Sequence, residues 1–99
     1  MAYYIIANYK ITNPEAYQAY PAAVWPTLAA YGAELVVADP ESEVMEGFSG
    51  HMTAILKFPS KEDARTWYNS PEYQAAIHLR TDNSEGFLLF ADGFVPSTE

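Results

Sequence analysis

The stretch MTAILKFPSKEDARTWYNSPEYQAAIHLR, residues 52–80, contains a strand, two helix starts and a cluster of aromatic rings. Met52, Ala54, Leu56 and Phe58 alternate with Thr53, Ile55 and Lys57, the period-two pattern of a central antiparallel strand. Pro59 ends that run. Ser60 with Asp63 three residues later approximates a capping box, so a helix begins there with Ala64, Trp67 and Tyr68 on its inward face. Ser70-Pro71-Glu72 then restarts the helix: Ser70 caps it, Pro71 supplies a pre-set φ where no N–H is needed, and Glu72 suits the positive end of the dipole. Tyr73, Ile77 and Arg80 fall on one face of this second segment.

Working outward, Tyr3 to Tyr9 reads as a strand rich in β-branched and aromatic residues, closed by the turn signal Thr12-Asn13-Pro14. Both of its faces are largely apolar, so both need cover. Asn13-Pro14-Glu15 opens a helix whose stripe Tyr17, Tyr20, Val24, Leu28 and Tyr31 ends at Gly32. Pro21 and Pro26 each delete a backbone donor and crowd the carbonyl four residues earlier, which predicts a bend or two short pieces with Trp25 re-aimed beside it. Glu34 to Ala38 is a short second strand, and Glu43 to Gly47 is expected to extend it as a hairpin. Thr81 to Glu85 forms a loop before the last strand, Gly86 to Val95, and residues 95–99 make a tail.

The order is β-α-β-β-α-β, which predicts an α+β ferredoxin-like domain over residues 1–99, an antiparallel sheet with helices on one face. Its bare face would expose Ile, Leu and Phe from several strands, a patch too large for a monomer, so a homodimer formed across a two-fold axis is expected.

Composition narrows the function. The 99 residues hold no cysteine, which removes disulfides, thiolate metal sites and cysteine nucleophiles and suits a cytoplasmic setting. No apolar run approaches the roughly 18 residues of a spanning helix, so no membrane role is expected. A net charge of −8 repels phosphate backbones and argues against nucleic acid. Eight Tyr, five Phe and two Trp exceed what so small a core requires, so some rings should meet a ligand or a second subunit. His51 and His78 are the only histidines and lack metal-ligand spacing, so neither a metal nor any other cofactor is expected. No Gly-x-Ser-x-Gly elbow or phosphate-binding glycine loop occurs.

The strings YQAYPAAVWPTLAAYG, residues 17–32, and ILKFPSKEDARTWYNSPEYQAAIHLR, residues 55–80, resemble the bacterial domain of unknown function 1330 family, within the dimeric alpha-beta barrel superfamily. The resemblance covers nearly the whole chain and is most specific over Phe58 to Gln74. It implies a ferredoxin-like protomer and a sheet-to-sheet homodimer, with no particular activity. Superfamily relatives include cofactor-independent monooxygenases, lactone isomerases and haem enzymes.

The aromatic residues are the best candidate site. Tyr9, Trp25, Trp67 and Tyr73 can wall a cavity between helices and sheet, against the plainer reading of core and dimer packing. Arg80 has a planar fork suited to a carboxylate, or else pairs with Glu72, Asp82 or Glu85. Asn8 offers a fixed amide to an oxyanion, and His51 and His78 are the residues able to move protons near neutral pH. The leading reading is a homodimer that binds a small, partly apolar acid, with a cofactor-independent reaction of isomerase or monooxygenase type. The alternative is a non-catalytic binding or assembly module whose aromatics serve core and dimer only.

Overall fold

The computed structural model describes residues 2–96. Four strands, β1 (Tyr3–Ile11), β2 (Glu34–Asp39), β3 (Met52–Phe58) and β4 (Ser84–Asp92), form one sheet in the order β2-β3-β1-β4, every neighbouring pair antiparallel. Four helices, α1 (Pro14–Tyr17), α2 (Ala19–Leu28), α3 (Lys61–Tyr68) and α4 (Pro71–Thr81), are inserted after β1 and after β3. This is the ferredoxin-like α+β arrangement that the element order predicts.

Burial alternates along β1. Tyr3, Ile5, Ala7 and Tyr9 are buried beneath the helices, whereas Tyr4, Ile6 and Asn8 on the opposite face are half-buried. With Val24, Leu28, Phe58, Ala64, Trp67, Tyr73 and Ala76, the inward residues of β1 make up the core. Phe87 and Leu89 of β4, 48% and 44% exposed, lie on the face that no helix covers.

Each helix start is set by its cap. Asn13, Ser60 and Ser70 accept from the backbone N–H three residues on, at Ala16, Asp63 and Tyr73. The first helix breaks at Gln18, between α1 and α2, because Pro21 has no N–H to give the carbonyl of Tyr17. Pro26, by contrast, is contained within α2, which tightens into a 3-10 turn over Ala29–Tyr31. Gly32 ends it with φ +70°, a left-handed conformation that favours glycine.

Three boundaries differ from the sequence reading. β1 runs on to Ile11, since its pairing with β4 continues to Ile11↔Ser84. β4 accordingly spans Ser84–Asp92 rather than 86–95, leaving Asp82 and Asn83 as the turn after α4. Residues 43–47 form no strand; the 40–51 connection is irregular and tied down at its ends. Ser42 N–H donates to the His51 carbonyl at 2.8 Å, while Asn8 receives Gly50 N–H at 2.6 Å and donates to the Gly50 carbonyl at 3.0 Å. Gly50 lies so close to β1 that a Cβ there would overlap the Tyr9 backbone. The tail expected over 95–99 lies outside the described residues from 97 onward.

Candidate functional site

The inward positions of the sheet become small at one level. Register pairs Ala38 with Ala54, Ala54 with Ala7, and Ala7 with Leu88, so three alanines lie side by side across β2, β3 and β1. Ala38 reaches that face only because the register slips between Leu35 and Val37. The bulge at Val36 lets both Leu35 and Ala38 point toward the helices although they are an odd number of residues apart.

Above this alanine row the helices do not close down fully. A cavity of about 130 Å³ remains, floored by Ile5, Ala7, Ala54 and Ala38 and roofed by Tyr17, Tyr20, Val24 and Leu28. Trp67 closes one side; Pro21 and Trp25 stand at the mouth, Trp25 being 64% exposed. The walls are almost wholly apolar. Arg80 is the one charged residue among them.

Arg80 comes from the last turn of α4, and its side chain is only 7% exposed. Its guanidinium carbon sits 5.8 Å from the Tyr9 ring centroid and 5.9 Å from that of Tyr20, within cation–π range of both. Nε is buried without a hydrogen-bond partner. Burial works against the charge, but Tyr73 and Tyr20 more than offset it and hold the guanidinium in its charged form, and no carboxylate among the described residues acts on it. The pairing with Glu72, Asp82 or Glu85 weighed from sequence is therefore not formed. Nε is the unmet donor of this cation, and an unmet buried donor costs stability.

Two hydroxyl pairs accompany the cation. Tyr9 and Tyr17 share a hydrogen bond at 2.6 Å, and Tyr20 and Tyr73 share one at 2.8 Å. Burial, with the Tyr17 hydrogen bond second, pushes the Tyr9 phenol far above its ordinary range; burial, with Tyr73 second, does the same for Tyr20, and burial raises Tyr17. All three therefore stay protonated at any physiological pH. They can donate to or orient a bound group, but none serves as a base.

Trp67 and Tyr73 form the rigid back of the site. Their rings lie 4.1 Å apart at 35°, and Phe58 packs on the other side of Trp67 at 5.6 Å. The indole N–H donates to Thr27 Oγ1 at 2.8 Å, and that hydroxyl donates to the Val24 carbonyl at 2.7 Å, so both polar tips are satisfied.

Of the residues singled out from sequence, Tyr9, Trp25, Trp67 and Arg80 line the cavity. Tyr73 lies behind the wall, fully buried, and acts on it through Trp67 and Tyr20. Asn8 is on the opposite face of the sheet, its amide committed to Gly50 and to Thr53 Oγ1. His51, at the start of β3, and His78, on the outer side of α4, are both exposed and neither reaches the cavity. Tyr20, which with Tyr17 roofs the cavity, has no role in the sequence reading beyond an apolar stripe. Their three-residue spacing on one helical face, ahead of a proline break, was the available signal. No cluster of three or more metal-ligating side chains occurs among the described residues, and no helix among them is long and apolar enough to cross a membrane.

The family model described as a domain of unknown function, DUF1330, matches residues 2–94. No curated protein matches the chain. Among solved structures, the chain resembles the RPA0582 protein of unknown function from Rhodopseudomonas palustris, with TM-score 0.77 and 15% identity over 96% of this chain and 84% of that one. It also resembles SnoaB, a cofactor-independent oxygenase from Streptomyces nogalater, with TM-score 0.67 and 11% identity over 99% and 98% of the two chains. A dimeric protein of unknown function and ferredoxin-like fold from Bacteroides fragilis aligns with TM-score 0.56 and 12% identity over 93% and 96%. At these identities the likeness is one of fold.

Proposed function

We propose that this chain, which belongs to the DUF1330 family, forms a homodimer in which each protomer binds a small, partly apolar acid between its helices and its sheet. The observation that carries the reading is the apolar cavity with one unneutralised guanidinium in its wall. Ligand sites are commonly apolar enclosures with a few polar groups that set orientation, and Arg80 with the tyrosine hydroxyls fits that description. The exposed Phe87 and Leu89 on the bare sheet face, and the dimeric structural neighbour, support pairing of two copies.

The test is a thermal-shift screen of small organic acids and neutral apolar compounds against wild type and Ala54→Leu, in which the added side chain fills the cavity. Compounds are expected to stabilise wild type and to lose that effect in the filled protein. Equal shifts in both would place binding elsewhere and end the proposal.

An enzymatic form of the same reading is a cofactor-independent reaction of isomerase or monooxygenase type. The structural likeness to SnoaB supports it, as do hydroxyl and guanidinium donors able to hold a developing oxyanion in an apolar enclosure. With no base in the wall, a substrate would have to carry its own reactive acidity. Turnover of a bound acid that is lost in Arg80→Met would support catalysis; tight binding without turnover across the screen would favour the non-catalytic module.

A further inference from the structure

We infer that the ligand is a monocarboxylate whose acid group sits directly on an apolar body about the size of a benzene ring, and that Ala54 and Ala38 are the residues that set this limit. The inference rests on the reading of the cavity as a ligand site and specifies what that site selects.

Charge comes first. Among the described residues Arg80 is the one charged side chain in the wall, its Nε has no partner, and no acid or second base stands beside it. One permanent cation with a planar fork matches one carboxylate. A dianion would leave its second charge against Val24, Leu56 and Leu88, and a neutral compound would leave the guanidinium uncompleted.

Size and length follow from the sheet. A cavity of about 150 Å³ lined by apolar side chains admits benzene, and this one measures about 130 Å³. The guanidinium lies over Tyr9, and the alanine row crosses β1 at Ala7, two residues away. Inward positions on a strand are separated by roughly 6.5–7 Å. That span fits a carboxylate joined straight to a ring or a short branched chain, with the far edge of the body resting on the alanines. A longer linker would carry the body past the row onto Ile5 and Leu56, whose larger side chains line the cavity beyond the alanines and leave less room.

The alanine row is built for this purpose by an irregularity. Without the bulge at Val36, Ala38 would face the other side of the sheet and a different residue would stand over the cavity. The row therefore depends on a backbone feature that an uninterrupted strand would lack, and it creates space that a well-packed core would fill.

The test is isothermal titration at pH 7 with benzoate, its neutral isostere benzamide, the larger 2-naphthoate and the dianion phthalate. Wild type, Arg80→Met, Ala54→Leu and Ala38→Val are compared, the last as a milder filling should Ala54→Leu fold poorly. Wild type is expected to prefer benzoate over each of the other three by about tenfold or more. Arg80→Met should bind benzamide as wild type does while losing the preference for benzoate, and either filled variant should lose benzoate by a similar factor. Benzamide binding as tightly as benzoate in wild type, or 2-naphthoate or phthalate matching benzoate, would overturn the inference and leave the cavity reading standing. Benzoate binding that survives in both filled variants would remove the alanine row from its role. Failure of all four probes to bind wild type would overturn the inference and the cavity reading together.

Discussion

Replacing Arg80 by methionine should leave the stability of the empty protein nearly unchanged, because the losses and gains around the guanidinium almost cancel. Methionine keeps the apolar stem that packs between Tyr9 and Tyr20 and removes the charge. Two cation–π contacts are lost, each about 0.5–1 kcal/mol and together about 2 kcal/mol in a desolvated setting. Against that stands the unpartnered Nε, worth about 1–3 kcal/mol, since the cost of taking the charge from water is offset by Tyr73 and Tyr20. The balance lies within about 1 kcal/mol of zero. For a domain of this size each kcal/mol raises the midpoint by roughly 4–8 °C. The assay is urea and thermal unfolding of both proteins at one protomer concentration, because the midpoint of the proposed dimer would depend on concentration. A companion measurement adds a bound carboxylate. Wild type should gain about 2.7 kcal/mol at a hundredfold excess over the dissociation constant, and Arg80→Met should gain far less. A loss of more than about 1 kcal/mol in Arg80→Met without ligand would refute the reasoning. It would mean that the guanidinium is a structural member of the core rather than a group awaiting a partner.

Trp67→Ala removes a 1% exposed ring stacked between Phe58 and Tyr73 and should cost about 3–5 kcal/mol in urea unfolding; a loss under about 1 kcal/mol would show that the stack is not supporting the site. Alkaline pH should unfold the protein. The folded state holds the protons of Tyr9 and Tyr20 well beyond, and that of Tyr17 above, the ordinary tyrosine value of 10.0, whereas the unfolded chain releases them there. Their stabilisation is thus complete below about pH 10 and falls above it by about 1.4 kcal/mol per pH unit per tyrosine, which ultraviolet tyrosinate absorbance during alkaline titration will follow. Smooth titration of every tyrosine near pH 10 with the fold intact would contradict this. Phe87→Glu places a charge on the bare sheet face and should yield a monomer in sedimentation equilibrium; an unchanged dimer would move the interface elsewhere.

The fold was legible because its signals are local. Asn13-Pro14, Pro59-Ser60 and Ser70-Pro71 mark helix starts by capping chemistry that needs no knowledge of the rest of the chain, and each cap forms its hydrogen bond. The strand character of Tyr3–Tyr9 and Met52–Phe58 is likewise local, although with both faces of β1 apolar only its packing beneath the helices decides which residues are buried. Strand ends were misjudged where pairing decided them. Lys10 and Ile11 have no strong strand pattern of their own and are held in β1 by Glu85 and Ser84. The 43–47 segment, expected as a hairpin extension, forms no strand and pairs with none of the four.

The site was legible only in part, for a related reason. Tyr9, Trp25, Trp67 and Arg80 stand out as large aromatics and a scarce cation, and chain topology brings them to one cavity. Asn8, His51 and His78 stand out equally by residue type, yet strand parity sends Asn8 to the far face and the two histidines remain in solvent. By itself, then, the sequence determined the element order, the caps and the inward stripes, since these follow from contacts between residues a few positions apart. Only the tertiary structure decided that Arg80 meets no counterion among the described residues, that Tyr20 meets Tyr73, and that a bulge at Val36 aligns three alanines into a cavity floor. Those facts depend on register and on contacts between distant segments, and no local pattern encodes either.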